Sequence, residues 1–356
     1  MIYLFNLLLI PIYYFVINAT IHNKKKARNY FFLVVALHAI LFRALANPYV
    51  YPDTQRYTYA FDYIAGMKFK EMAFSINQFT GWGVGYLILN WIIGQLTHDA
   101  TYLFIVLSVI SVGGVMLFYY KTSYTPLLTV VLYLSYPMMY TMGFGVVRQH
   151  LAVVFVLWAL YYADKLKYSI PLILIGILCH TSSMVFLPFY FIRNLNLKKF
   201  NSFNLFWFSV IGFVVMTFLV GYVLSFLSRY EEVMQEEGEQ TNIVPVFMIG
   251  VTVLLFYITG IVKRISEIRD KMILRFLIYG LVIALFGMTV PVAGRLSLCF
   301  IYALPVAVSI LYNHKSKNNK DFVSIYIAVI LLAVSFLVYG SSAKFATYLF
   351  FWDKYL

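Results

Sequence analysis

The sequence predicts an all-α, polytopic integral membrane protein with roughly 10–12 transmembrane helices. Three observations predict it: the composition, the lengths of the apolar runs, and the placement of the basic residues. Of the 356 residues, 62% are apolar and only 12% carry charge, with a mean hydropathy of +0.82. Soluble domains run at about 45–50% apolar and about 25% charged. Water could not solvate this surface, so acyl chains must. Spans fill the length, and a single transmembrane domain over residues 1–356 is expected.

Taken in chain order, apolar runs near 2–19, 30–46, 101–120, 125–141, 147–163, 202–226, 244–262, 273–291, 296–311 and 321–339 read as spans. The first lacks the basic start and small-residue cleavage pattern of a signal peptide and is followed by basic residues, so it reads as a retained span. Residues 83–97 are apolar but short. Residues 168–192 are interrupted by Cys179-His180-Thr181-Ser182-Ser183, a polar cluster poorly suited to lipid. The expected solution is a hairpin of two short helices meeting at His180.

The basic residues choose between topologies, because Lys and Arg gather in short cytoplasmic loops. If 83–97 does not cross and 168–192 is a hairpin, 18 of the 27 basic residues lie inside, among them Lys24, Lys25, Lys26, Arg28, Lys121, Lys165, Lys167, Arg269 and Lys315. If 83–97 crosses and 168–192 is one span, the split falls to 16 against 11, and Arg148 changes sides. The first arrangement is preferred. Both put the N-terminus and the loops at 47–82 and 227–243 outside.

The net charge of +13 is then an orientation signal and an attraction to anionic lipid heads. No basic stripe with interleaved aromatics marks a nucleic-acid binder. Cys179 and Cys299 are too few for a disulfide framework and wrongly spaced for a zinc site. There is no HExxH, DxD, P-loop or dinucleotide fingerprint, so neither metal nor cofactor is expected.

Basic residues outside are more informative. Arg43 lies in the last turn of the second span, and Arg56 follows Tyr51-Pro52-Asp53. Arg148 opens a helix after Gly143-Phe144-Gly145, and Arg295 opens another after Pro291-Val292-Ala293-Gly294. A helix start offers backbone N–H groups to an anion, and Arg adds a fork that fits phosphate, so together they read as a pyrophosphate clamp. Each side chain also has a plainer reading. An interfacial Arg can snorkel to lipid phosphates. His180 can be a satisfied polar group in a helix break instead of a base. Asp53 can be a turn residue after Pro52. The acidic run Glu231, Glu232, Glu236, Glu237 and Glu239 is most simply a solvated loop.

Arg43, Asp53 and Tyr57, then Arg148-Gln149-His150-Leu151-Ala152, then Cys179-His180-Thr181-Ser182, then Arg295, form a series that resembles the EpsG/Wzy-like bacterial polysaccharide polymerases. The resemblance runs from about residue 30 to 312. The chain departs from the family where an acidic residue and Pro commonly precede the helix at 83–97; here the sequence is Gly81-Trp82-Gly83-Val84-Gly85. The resemblance implies a GT-C-like fold in the bacterial cytoplasmic membrane, with an active site on its outer face. It implies polymerisation of undecaprenyl-pyrophosphate-linked repeat units of O-antigen, capsule or exopolysaccharide, with a chain-length regulator and other assembly proteins as partners. Under it, Arg148, Arg295 and Arg43 hold pyrophosphate, His180 or Asp53 acts as general base, and Tyr57 and Gln149 touch substrate, without metal. A flippase or transporter of lipid-linked oligosaccharide, or a membrane acyltransferase using His180, would also need broken helices and membrane-facing cations.

Overall fold

In lipid a chain must satisfy its own backbone hydrogen bonds, and this one does so almost wholly as helices. In the structure, a computed structural model, residues 2–47, 49, 51, 53–75, 82–194, 204, 207, 211, 212, 214, 243–288, 295–314 and 348–350 are described. The expected spans at 202–226 and 321–339, the loop at 227–243 and its acidic run lie almost entirely outside the described residues. Among those described, the one β-type pairing is a bridge between Ala46 and Phe350.

The first half contains α1 (Ile2–Thr20), α2 (Lys24–Ala44), α3 (Thr54–Ile64), α4 (Phe69–Ser75), α5 (Val84–Gly94), α6 (Ala100–Thr122), α7 (Pro126–Ser135) and α8 (Val147–Tyr161). It is followed by α9 (Leu166–Cys179), a 3-10 turn at Thr181–Phe186 and α10 (Phe189–Ile192). Then come α11 (Ile243–Ile258), α12 (Ile261–Arg264), α13 (Ile268–Phe286), a 3-10 turn at Arg295–Ser297, α14 (Leu298–Ile301) and α15 (Leu304–Asn313). Two of these, α2 and α6, are long and apolar enough to cross a bilayer, and several shorter apolar helices accompany them.

Local chemistry sets the ends. Asn23 caps α2 by accepting from Lys26 N at 3.0 Å, so that helix begins several residues before its apolar run. Asp99 caps α6 by accepting from Thr101 N at 2.8 Å. α7 stops at Ser135, short of the run to 141, because Tyr136 precedes Pro137 and takes an extended conformation. At 11 residues α5 measures about 16 Å, half a hydrocarbon core.

Residues 166–192 form two limbs. Their feet are joined by Ser169 Oγ and Tyr190 OH at 2.7 Å and by Arg193 Nη1 donating to Ala163 O at 2.5 Å. Between the limbs His180 is extended, with φ −158° and ψ 129°.

The bundle has two distinct ends. At one, Tyr3 OH and Tyr51 OH are 2.9 Å apart, Tyr348 donates to Phe42 O at 2.6 Å, and Asn47 N donates to Leu349 O at 2.8 Å. At the other, Arg28 donates to Tyr120 O at 2.6 Å and Ser123 O at 2.8 Å. There Tyr124 donates to the fully buried Asp270 at 2.8 Å, and Arg269 and His314 flank the same carboxylate at 3.3 and 3.4 Å. Tyr124 titrates above the usual phenol range, first because burial disfavours its anion and then because of the Asp270 carboxylate.

Candidate functional site

Arg148 stands in the first turn of α8, and aromatic side chains from two other segments carry it. Its guanidinium carbon lies 4.5 Å from the centre of the Trp82 ring and 5.5 Å from that of Tyr57. The two rings meet edge-on at 5.4 Å, and both contact Tyr86, at 5.8 and 5.9 Å. Ring stacking uses the faces of a guanidinium, whereas hydrogen bonding uses its edge. The cation can therefore be held by carbon while its N–H groups address an anion.

Trp82 is placed by Gly83. A Cβ on Gly83 would come within 2.3 Å of both Leu178 O and Cys179 O. The start of α5 thus lies directly on the end of α9, at the residues before His180. Only a residue without a side chain permits that approach.

His180 caps the 3-10 turn it precedes. Its Nδ1 accepts from Ser182 N at 3.2 Å and lies 2.7 Å from Ser182 Oγ. A backbone N–H can only donate, so Nδ1 carries the lone pair and the neutral ring keeps its proton on Nε2. The turn at Arg295–Ser297 packs against Thr181–Phe186, the turn that follows this break. The side chain of Arg295 lies outside the described residues.

Asp53 is exposed and ends a turn in the left-handed conformation, with φ 65°. Asp tolerates this region better than most residues. It is the residue before α3, makes no side-chain cap, and stands one turn ahead of Tyr57. Gln149 is buried at 4% exposure, facing the bundle.

Arg43 is also buried, at 6% exposure, and donates to Ser111 Oγ at 2.8 Å and to Gly143 O. Gly143 is closely surrounded, since a Cβ would meet His150 Nδ1 at 3.0 Å and Arg43 Nη1 at 3.4 Å. Tyr302 OH donates to Met139 O and also touches His150 Nδ1, and Tyr140 OH donates to Ala39 O at 2.7 Å. The segment 139–146, which fixes where α8 begins, is therefore pinned by α2, α6, α8 and the turn after α14.

The structure thus brings together Arg148, Tyr57, the end of α3 that bears Asp53 and the end of α9 before His180, and it sets the turn opened by Arg295 against the 3-10 turn after that break. It gives Arg43 partners inside the bundle. Trp82, Gly83, His150 and Tyr302 carry this arrangement, and sequence reading assigned none of them. The signal available was the Gly-Trp-Gly-Val-Gly stretch, whose small residues around one large ring fit a close backbone approach. Among the described residues, no three His, Cys, Asp or Glu side chains gather as a metal-ligand group.

The chain matches the EpsG family over residues 47–351. No curated protein and no solved structure matches it.

Proposed function

Since this chain belongs to the EpsG family, whose members are membrane proteins of polysaccharide assembly, we propose that it polymerises undecaprenyl-pyrophosphate-linked oligosaccharide repeat units. The reaction takes place at the outer face of the bacterial cytoplasmic membrane. The observation that carries this reading is the Arg148 guanidinium, stacked on Trp82 and Tyr57 where α3, α5, α8 and the His180 break converge.

In the proposed step, the bond between the anomeric carbon of the growing chain and its pyrophosphate oxygen breaks. A hydroxyl of the newly arrived unit supplies the oxygen of the new glycosidic bond and loses its proton. Undecaprenyl pyrophosphate leaves with the bonding electrons. Arg148, joined by Arg295, stabilises the charge that develops on the leaving pyrophosphate. Asp53 takes the hydroxyl proton. His180 is better suited to donate from Nε2 than to accept, because its lone pair is engaged by Ser182. Arg43 positions the loop before α8. Tyr57, itself buried, and the half-buried Trp82 hold Arg148 in place. Gln149, buried, supports α8 from within.

The test is the surface glycan of cells carrying Arg148→Ala, Arg295→Ala or Asp53→Asn. Long chains should vanish while lipid-linked single units accumulate on the outer leaflet. Normal chain lengths in all three would reject the assignment, and units held on the inner leaflet would point to a flippase.

A further inference from the structure

A groove of about 400 Å3 runs between α2 and α6, far from Arg148. Its sides are Leu33 and Ala36 on α2 and Met116 and Leu117 on α6, with Gly113 leaving space between them. Leu33 and Leu117 are 55% and 49% exposed, so the groove opens outward from the bundle. Its lower end is Asn29, Phe32 and Tyr120, and those rings carry cations. Arg28 lies 5.3 Å from the Phe32 centroid and 5.6 Å from that of Tyr120, and Lys121 Nζ lies 5.5 Å from the Tyr120 ring. Lys24, Lys25 and Lys26, all exposed, open the same end of α2. Among the described residues lining the groove, none is acidic.

An apolar channel ending at fixed positive charge matches one amphiphile, a hydrocarbon chain with an anionic head. We propose that the groove seats an acyl chain of an anionic phospholipid, whose phosphate lies at Lys121 and the opening turn of α2. The carrier of the glycan does not fit this place. Its pyrophosphate belongs at the Arg148 end, and α2 separates the two ends by about 30 Å, the rise of its 21 residues. The lipid site goes beyond the proposed reaction and stands whether or not that reading does.

Gly113 provides the test, since it lines the groove and a Cβ there would meet only Ile40 Cδ1, at 3.5 Å, an ordinary contact. The full-length protein in detergent micelles is titrated with phosphatidylglycerol and with phosphatidylcholine of the same acyl chains, and bound lipid is counted by native mass spectrometry. Phosphatidylglycerol should be retained about fivefold better than phosphatidylcholine. Gly113→Leu should remove that retention at an unchanged melting temperature, and Lys121→Gln should bring the two lipids toward parity. Equal retention of both lipids by the unaltered protein overturns the proposal. So does unchanged phosphatidylglycerol binding in Gly113→Leu, or preferential binding of undecaprenyl phosphate that Gly113→Leu abolishes.

Discussion

Arg148 and Trp82 are 66 positions apart in sequence, yet the guanidinium carbon lies 4.5 Å from the ring centre. A cation–π contact of this kind is worth about 0.5–2 kcal/mol. Trp82→Ala should therefore slow chain extension by about 2- to 30-fold, with Trp82→Phe retaining most of the rate. Arg148→Lys should restore little, because an ammonium offers no planar fork. Glycan length profiles, compared at matched protein levels, measure this.

His180 and Asp53 can be separated by chemistry. Gln retains an N–H donor but cannot act as a base, so His180→Gln should keep clearly more activity than His180→Ala. Asp53→Asn should lose extension by about 10²-fold or more, the usual worth of a positioned base. Equal loss in His180→Gln and His180→Ala would return the base role to the imidazole.

Gly83→Ala places a methyl group 2.3 Å from two backbone oxygens, neither of which can rotate away. The start of α5 must then shift. A displacement of about 1 Å is enough to cost about 10²-fold in rate, while insertion into the membrane should persist. Immunoblotting of membranes beside glycan analysis distinguishes misplacement from loss of the protein.

The pinned loop makes a stability prediction. Gly143→Ala crowds the buried His150, which must give by a few tenths of an ångström, and should lower stability by about 1 kcal/mol. Tyr302→Phe removes the bond to Met139 O and the contact with His150, costing about 1 kcal/mol. Both should melt earlier in detergent, and both should extend chains more slowly through the altered start of α8.

At the opposite end Asp270→Asn replaces a fully buried carboxylate held by Tyr124 and flanked by Arg269. Arg269 is 30% exposed, so solvent weakens the pair. A loss of about 1–3 kcal/mol in thermal stability is expected, without change in glycan length distribution.

Much of this was readable from sequence, for identifiable reasons. Apolar runs located α1, α6 and α8 closely, because lipid enforces helix wherever charge is absent, whereas α13 begins and ends five residues before its run at 273–291. The polar cluster at 179–183 marked the break at His180, and Asp53 after Pro52 marked a turn. The support beneath Arg148 was not readable. Trp82 and Tyr57 belong to separate segments, and the fit of Gly83 and Gly85 against Leu178 and Cys179 unites them with the break. Arg43 read as a pyrophosphate-holding cation because its position in the last turn of α2 says nothing about burial; Ser111 and Gly143, its partners, lie on other elements. His150 has no sequence partner, and its contact with Tyr302 spans 152 positions.

The joined feet of the limbs at 166–192 also bear on how the polypeptide is threaded. A re-entrant element returns to the leaflet from which it started and leaves the parity of crossings untouched. If the hairpin is seated in this way, excising it should keep α11 through α15 the same way up. Replacing its polar apex with a run of leucines could instead turn the pair into a true span, and every helix downstream would then be installed upside down.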